Sequence, residues 1–329
     1  MPTIHLYHEA IMEPRNRTRF GVVIPAFNSA SVIEATLDAV AAQVHAATAV
    51  IVVLDGPDPA IEEIVVRHSM SPEVLVLPEN SGGPGLPRNV GADRLRAQHE
   101  IDAFWFLDAD DLPSPEFLGV INRVLDEHPN TAMVISEFTN WPDSVPPPDS
   151  QPVPVVIHSV EIELDWYLEH TGALLPSFSV IRAEAFDRLQ SDAGGFRREL
   201  SNNQDYELFV RLIAMAECRR TTWNGGAYRI HAASISSNKA KAWDCRSRAD
   251  RMLANWFESR GSTEVSRRFI AKSSSAARRA AKETWHAGRR AEAVSILLRR
   301  ATVSLDPKAA VVLARLVLGV EGSSPNHGE

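Results

Sequence analysis

The chain has 329 residues, a length that allows one large domain and a smaller one. Hydrophobic residues make up 44% and charged residues 23%, which is the usual range for a folded protein. The two cysteines lie far apart in sequence and exclude a disulfide framework and a thiolate metal site.

No part of the sequence predicts a signal peptide or a membrane span. The N-terminus lacks a long apolar run, and the apolar stretch at 309–320 is short and interrupted by Arg315. We therefore expect a cytoplasmic protein with an N-terminal extension at 1–17. Charge is uneven, because residues 241–329 hold 17 Lys and Arg against 9 Asp and Glu. This basic region is either a set of ordinary solvated helix faces or a surface that contacts anionic lipid headgroups.

Strand patterns and helix patterns alternate in the first half of the chain. Ser31 and Glu34 have the spacing of a capping box at the start of the first helix. The repeated alternation predicts an α/β fold with a mostly parallel sheet flanked by helices. We predict strands at 20–27, 49–56, 73–80 and 103–111, and helices at about 32–41, 61–68, 88–98 and 116–127.

The second half is less regular until its end. Six prolines between Trp141 and Pro154 predict a loop. A strand at 177–182 and helices near 162–170, 183–189 and 203–216 follow. From about Trp243 the pattern is helical, which predicts a small α-helical C-terminal domain at 241–329.

Three acids follow the most apolar of the predicted strands. In an open parallel sheet, ligands bind outside the carboxyl ends of the strands. Asp108, Asp110 and Asp111 come together in FWFLDADD with no basic residue beside them. They should repel one another unless a cation intervenes, and carboxylates at this spacing can hold one hard cation. A solvated turn or a helix N-cap is the structural alternative.

Four sequence blocks follow one another along the first half of the chain: VVIPAFNSASVIEATLDAVAAQ, VVLDGPD, ENSGGPGLPRNVGADR and FWFLDADDLPSPEFL. Further blocks are SFSVIRAEAF, NQDYELFVRL and YRIHAASIS. In their order and approximate spacing, these blocks resemble the family-two inverting glycosyltransferases, whose fold is of the GT-A type. The likeness covers about residues 18–240, which we take as the catalytic domain.

The resemblance assigns donor contacts to the ends of the first two strands. It places Pro25, Ala26 and Phe27 around the nucleotide base and ribose, with Phe27 as a stacking surface, and Asp55 on the base. The family usually has a second acid beside this one, but here that position is Leu54. Uridine, thymidine and guanosine donors therefore all remain open.

The resemblance also assigns the reaction centre. It implies that Arg88 pairs with phosphate oxygens or a site carboxylate and that Asp108 lies near the ribose. It implies that Asp110 binds Mg²⁺ or Mn²⁺, with His231 reaching the metal or the diphosphate. Asp205 matches the catalytic base, with Glu207 as the second candidate for that role. The glycines at 82–85 would let backbone approach the nucleotide.

The function implied is inverting transfer of a sugar from a nucleotide-sugar to an acceptor hydroxyl. The acceptor could be a glycan, a lipid-linked sugar or a small molecule, and we expect no nucleic-acid partner. The helical C-terminal domain could serve peripheral membrane contact or homodimerisation. A non-catalytic binding or scaffold protein of the same fold is the first alternative. A nucleotidyltransferase is the second, although PAFNSAS lacks the glycine and basic residue of its phosphate loop.

Overall fold

The computed structural model describes residues 17–231, 238–302 and 306–318. It divides the chain into two compact units, residues 1–231 and residues 232–329, called here the N-terminal and C-terminal units. Among the described residues, no helix combines the length and the apolar character needed to cross a membrane.

The N-terminal unit holds one mixed sheet of nine strands within the described residues. Seven helices accompany the sheet. The strands are β1 (Phe20–Ala26), β2 (Ala49–Leu54), β3 (Glu73–Val76), β4 (Ala103–Phe106), β5 (Leu112–Pro113), β6 (Met133–Pro142), β7 (Ser159–Glu161), β8 (Ser179–Arg182) and β9 (Cys218–Ile230). The helices are α1 (Ile33–Ala41), α2 (Pro59–Arg67), α3 (Gly85–Gln98), α4 (Phe117–Glu127), α5 (Leu164–Glu169), α6 (Ala183–Ala193) and α7 (Gln204–Met215).

The sheet has a parallel half and a mixed half. Its order is β3-β2-β1-β4-β8-β6-β9-β5, and β7 pairs with β9. The strands β3, β2, β1 and β4 are parallel, while β8 pairs antiparallel with both β4 and β6. The predicted α/β fold with its helical C-terminal region is confirmed. The prediction did not include β5, β6, β7 or β9.

The parallel half is buried on both faces, which explains its continuous apolar runs. Val22, Val23 and Ile24 of β1 are all fully buried. Helix α3 packs closely on this sheet, because a Cβ on Gly91 would lie 2.5 Å from Cγ1 of Val23. Any larger side chain there would push α3 away from β1, and with it Arg88, which lies one turn nearer the helix start.

Three local predictions need correction. Helix α1 begins at Ile33 with no side-chain cap, so the predicted capping box of Ser31 and Glu34 is wrong. The carbonyl oxygen of Ser29 accepts the first free N–H groups there instead. Helix α3 begins at Gly85, three residues earlier than predicted. Strands β2 and β4 end sooner than predicted, so Asp55 and Asp108 lie in the loops that follow them.

The C-terminal unit is helical, as predicted. Its described helices are α8 (Lys239–Glu258), α9 (Thr263–His286), α10 (Arg290–Thr302) and α11 (Pro307–Leu318). Helices α8 and α9 pack along each other, and the Ser247 hydroxyl donates to the Ser273 carbonyl at 2.9 Å. The rings of Phe257 and Phe269 stack with centroids 5.3 Å apart.

Candidate active site

The acidic turn between β4 and β5 lies at the carboxyl end of the parallel strands. The buried Thr36 hydroxyl of α1 contacts the carbonyl oxygens of Ala109 and Asp111 at 2.9 and 3.1 Å. The Asp108 N–H donates to the Ser177 hydroxyl at 3.1 Å. These bonds to distant segments fix the turn, so its three carboxylates are held in place before any ligand arrives.

The acids of this turn are short of positive charge. Burial, followed by the charge of Asp108, raises the pKa of Asp110, and His231 opposes this shift. Asp111 is fully buried, and burial together with the charges of Asp110 and Asp108 holds its pKa well above the usual range. Its Oδ1 accepts the Arg229 N–H at 3.0 Å, and this bond and the nearby Ser177 hydroxyl oppose the rise in its pKa. A bound cation would relieve this repulsion.

His231, just after β9, contacts this turn directly. Its Nε2 lies 2.9 Å from Oδ2 of Asp110, although 121 residues separate the two in sequence. Both side chains remain partly exposed, at 27% and 29%. A carboxylate together with an imidazole suits Mn²⁺ better than Mg²⁺, since Mg²⁺ prefers oxygen ligands. Within the part of the chain that the structure describes, no three His, Cys, Asp or Glu side chains converge into a complete cation cage. A metal here would need further oxygens from a bound ligand.

Arg88 is a buried cation near the start of α3. It is 1% exposed, forms an ion pair with Asp108, and lies over the Phe196 ring at 5.1 Å from the centroid. Its Nε and Nη1 donors have no hydrogen-bond acceptor within the described part of the chain. Buried donors without acceptors are costly, so this guanidinium is suited to donate to a negatively charged oxygen ligand.

Asp205 lies in the first turn of α7 and belongs to the same cluster of charges. Burial raises the pKa of its carboxyl group, the nearby Arg88 cation opposes the shift, and Asp108 adds to it. Its Oδ1 accepts the Tyr206 N–H at 2.8 Å. The influence of both Arg88 and Asp108 on this carboxyl places Asp205 on the side of the sheet that holds the acidic turn.

Packing of the glycine-rich loop explains how α7 reaches this edge. A Cβ on Gly83 would lie 2.8 Å from Cα of Ser201, and one on Gly85 would lie 3.3 Å from the carbonyl oxygen of Arg197. These two glycines therefore allow close contact with the segment that precedes α7. A Cβ on Gly82, whose φ is +85°, would meet nothing within 4 Å, so of these three glycines it is the one with open space beside it.

Asp55 is held by neighbouring protein groups at the end of β2. It is 4% exposed and accepts the Ser81 N–H at 2.8 Å and the Ser81 hydroxyl at 3.0 Å. The Asn80 side-chain amide also donates to it at 3.2 Å. The carboxylate thus ties β2 to the loop before α3, an arrangement that the sequence reasoning missed.

The end of β1 lies beside Asp55. The Asp55 N–H donates to the carbonyl oxygen of Ala26 at 2.9 Å. Ala26 is buried and Pro25 is half-buried, so side-chain contacts with a ligand are limited there. Phe27 is 56% exposed, which leaves its ring available as a stacking surface.

Sequence reasoning did not single out Arg229, which bonds to two consecutive residues of the acidic turn. Besides its backbone bond to Asp111, its Nε donates to the Asp110 carbonyl oxygen at 3.0 Å. It also pairs with Asp143 at 2.7 Å and lies over the Trp141 ring. The pattern RIH at the end of β9 and just after it carries no local signal for the contact of Arg229 with the acidic turn, because Arg229 and Asp111 lie 118 residues apart.

Glu207, the second candidate for the base, has a different role. Its carboxylate is fully buried and accepts from Arg211 at 3.0 and 2.7 Å and from Arg197 at 3.2 Å. Arg211 in turn donates to the carbonyl oxygen of Gly195, beside Phe196. Glu207 therefore braces α7 against the turn that carries Phe196, and it cannot take a proton from a substrate.

Comparison with known proteins fits this geometry. The model of a family described as glycosyl transferase family 2 matches residues 21–190, more than half of the chain. The chain therefore belongs to glycosyl transferase family 2, and the family predicted from the sequence is confirmed. Over 121 residues it is 32% identical to the poly(ribitol-phosphate) β-N-acetylglucosaminyltransferase TarS of Staphylococcus aureus strains Mu50 and MW2. The match covers 36% of this chain and 20% of that protein, so the chain spans about a fifth of the length of these curated relatives.

Solved structures share the fold. Residues 1–349 of S. aureus TarS in complex with UDP-GlcNAc superpose with a TM-score of 0.58 at 20% identity, over 92% of each chain. The mannosyltransferase PcManGT from Pyrobaculum calidifontis, in complex with GDP-Man and Mn²⁺, gives a TM-score of 0.53 at 15% identity. That match covers 93% of this chain and 86% of the mannosyltransferase. At these identities the likeness shows the fold alone.

Proposed function

We propose that this chain is an inverting, metal-assisted glycosyltransferase that moves a sugar from a nucleoside-diphosphate sugar to an acceptor hydroxyl. The observation that carries the proposal is the grouping of Arg88, Asp108, Asp110, Asp205 and His231 at one edge of the sheet. These residues come from four separate segments, and the group combines a buried guanidinium, a carboxyl with raised pKa and a carboxylate–imidazole pair. Family membership supports the transferase over the nucleotidyltransferase alternative.

In this proposal Asp205 accepts the proton of the acceptor hydroxyl. The acceptor oxygen forms a bond to the anomeric carbon, while the bond from that carbon to the diphosphate breaks. The electron pair leaves with the nucleoside diphosphate, and attack from the opposite side inverts the configuration. The raised pKa of Asp205 makes it a stronger base than an exposed aspartate, provided that it is ionised at the working pH.

The departing diphosphate gains negative charge that the site must stabilise. Arg88 offers two buried donors without acceptors for its oxygens. Asp110 and His231 would hold Mg²⁺ or Mn²⁺, which when bound supplies positive charge for the diphosphate. The fit rests on the excess of carboxylates at the turn, because burial and Asp108 both raise the pKa of Asp110. In this proposal Asp108, which is paired with Arg88, contacts the ribose.

The donor and acceptor classes follow from the relatives. TarS was solved with UDP-GlcNAc and PcManGT with GDP-Man, so a nucleotide-sugar donor is the shared feature. We propose UDP-GlcNAc as the first donor to test, with Phe27 stacking on the base and Asp55 positioned beside it. TarS acts on poly(ribitol-phosphate), which supports a glycan acceptor in cell-wall or surface polysaccharide synthesis.

Replacement of the base tests the chemistry. Asp205→Asn should lower turnover by about a hundredfold or more, because general-base catalysis contributes on that scale. Donor affinity, measured by calorimetry, should stay close to that of the unchanged protein. The matched control is Asp187→Asn, at an exposed position on α6 that pairs with Arg96. Normal turnover in Asp205→Asn would show that another group takes the proton.

Removal of divalent cations tests the metal. EDTA should abolish donor hydrolysis and transfer, and Mn²⁺ or Mg²⁺ should restore both. Undiminished activity in EDTA would remove the cation from the scheme. A protein that binds UDP-GlcNAc but neither hydrolyses nor transfers its sugar in any of these conditions would instead be the non-catalytic alternative.

A further inference from the structure

Helix α11 is apolar on its inner side, where it packs in the C-terminal unit. Ala309 and Leu316 are buried in a small core with Ala281 of α9 and Leu297 of α10. Val312 and Leu313 are partly buried against the same core. This side accounts for the folding of α11 into the unit, as for any amphipathic helix.

The outer side of α11 is also apolar, which is unusual for a helix that faces water. Val311, Val317 and Leu318 are 52%, 63% and 73% exposed. Ala310 and Ala314 are exposed between them. Folded monomers rarely leave such a continuous apolar strip uncovered, so this surface points to a binding partner. We call these five residues the outer face of α11.

Every charge on α11 is positive. Lys308 and Arg315, seven residues apart and so on the same side of the helix, are both exposed. The helix contains no Asp or Glu. The preceding acid, Asp306, is buried and forms an ion pair with Arg278. Residues 241–329 together hold 17 Lys and Arg against 9 Asp and Glu.

We propose that the outer face of α11 docks on an anionic lipid surface. An apolar helix face flanked by Lys and Arg is the arrangement that lies in the interface of a bilayer, with the aliphatic side chains among the acyl chains. Lys308 and Arg315 lie beside the apolar strip, so their cationic ends can reach the headgroups.

A second copy of the chain fits this surface less well. An antiparallel two-fold dimer through the outer face would bring the Lys308 and Arg315 of one copy to the same side as those of the other. The face carries no acid to compensate these cations. An anionic lipid surface supplies that negative charge, at about 1 kcal/mol for each Lys or Arg near the surface.

Vesicle flotation of the full chain tests the proposal. The protein should float with vesicles that contain phosphatidylglycerol and remain unbound with phosphatidylcholine alone, and salt should weaken the binding. Val311→Glu with Leu318→Glu should abolish flotation. Lys308→Gln with Arg315→Gln should weaken it roughly 30-fold, which is two charges at about 1 kcal/mol each.

Two controls separate docking from misfolding and from dimerisation. Val66→Glu changes an equally exposed valine on α2 in the N-terminal unit and should leave flotation unchanged. Circular dichroism melting shows whether each variant is folded. The proposal is overturned if the unchanged protein does not float, or if it floats equally with both vesicle types. It is also overturned if light scattering shows a dimer that Val311→Glu with Leu318→Glu dissociates.

Discussion

Two regions of the N-terminal unit bury charge in opposite ways. In the acidic turn, Arg88 pairs with Asp108 and His231 with Asp110. The nearby Arg229 guanidinium pairs with Asp143, and no ion pair within the described residues reaches Asp111. Within α7, the single carboxylate of Glu207 accepts hydrogen bonds from two arginines, Arg211 and Arg197. Negative charge is in excess in the first region, whereas in the second it is fully compensated.

The difference separates structural charges from functional ones. A buried ion pair whose oxygens are all bonded has no capacity left for a ligand, and removal of one partner strands the other. Carboxylates without enough cations raise the pKa of their neighbours: burial and Asp108 do so for Asp110, and burial, Asp110 and Asp108 do so for Asp111. They gain stability only when a ligand brings positive charge. We expect mutations in the first region to change activity and those in the second to change folding.

The largest effect, on the free energy of unfolding, should come from removing one charge of the Glu207–Arg211 pair in the compensated region. Glu207→Gln removes the negative charge that faces the fully buried guanidinium of Arg211. We expect the free energy of unfolding to fall by about 3–5 kcal/mol, because the cation is left buried without its counter-charge. Urea denaturation followed by tryptophan fluorescence measures this loss.

Two further variants sharpen that result. Asp187→Asn breaks the exposed pair with Arg96 and should cost less than about 1 kcal/mol. Glu207→Leu combined with Arg211→Met removes both buried charges and should recover most of the stability lost by Glu207→Gln. A loss below about 1 kcal/mol in Glu207→Gln would contradict a structural role for this pair.

The next effect should appear in the uncompensated region, on activity. Asp110→Asn removes one of the two side chains proposed to hold the cation. The concentration of Mn²⁺ for half-maximal transfer should rise by at least about tenfold, because loss of even an outer partner of a metal ligand costs that much. The urea midpoint without metal should hardly fall, in contrast to Glu207→Gln. An unchanged Mn²⁺ requirement would place the cation elsewhere.

The sequence predicted the half of the site that is built locally. An apolar run that ends in an acid is a local pattern, and it located Asp55 and Asp108 at the ends of β2 and β4. The parallel order of these strands then brought them to one edge of the sheet. The role proposed for Asp205 came from the resemblance to a family, because an acid at the start of a helix is too common to indicate a catalytic base.

The other half depends on contacts between distant segments. Strand β9 alternates buried and half-buried residues, but its polar composition, CRRTTWNGGAYRI, hides the pattern. Its end brings Arg229 and His231 to the acidic turn across more than a hundred residues. The placement of α7 depends on the contact of Gly83 with Ser201, which no periodicity reports. Arg211 carries no local signal either, because its role depends on the fully buried Glu207 one turn earlier in α7.

The smallest predicted effect concerns the stability of the fold and the contribution of Asp111 in the uncompensated region to it. The pKa of Asp111 in the folded protein lies above the value of 3.8 taken for the unfolded chain, chiefly because the carboxyl group is buried. Between these two values the folded state binds more protons than the unfolded state, so stability falls as pH rises through that interval. At neutral pH the raised pKa of Asp111 therefore destabilises the protein that lacks a bound cation.

Asp111→Asn should remove this cost while keeping Oδ1 as the acceptor of the Arg229 N–H. In EDTA at pH 7 we expect a higher Tm than that of the unchanged protein, by roughly 2–4 °C for each kcal/mol relieved. The difference should shrink as pH falls toward 3.8 and vanish below it, where the carboxyl group of the unchanged protein is protonated in both states. Saturating Mn²⁺ with UDP should also shrink it, because the cation then compensates the charge that the substitution removes. Equal Tm values at pH 7 would mean that Asp111 is already neutralised within the fold, and the excess of negative charge would then belong to Asp108 and Asp110 alone.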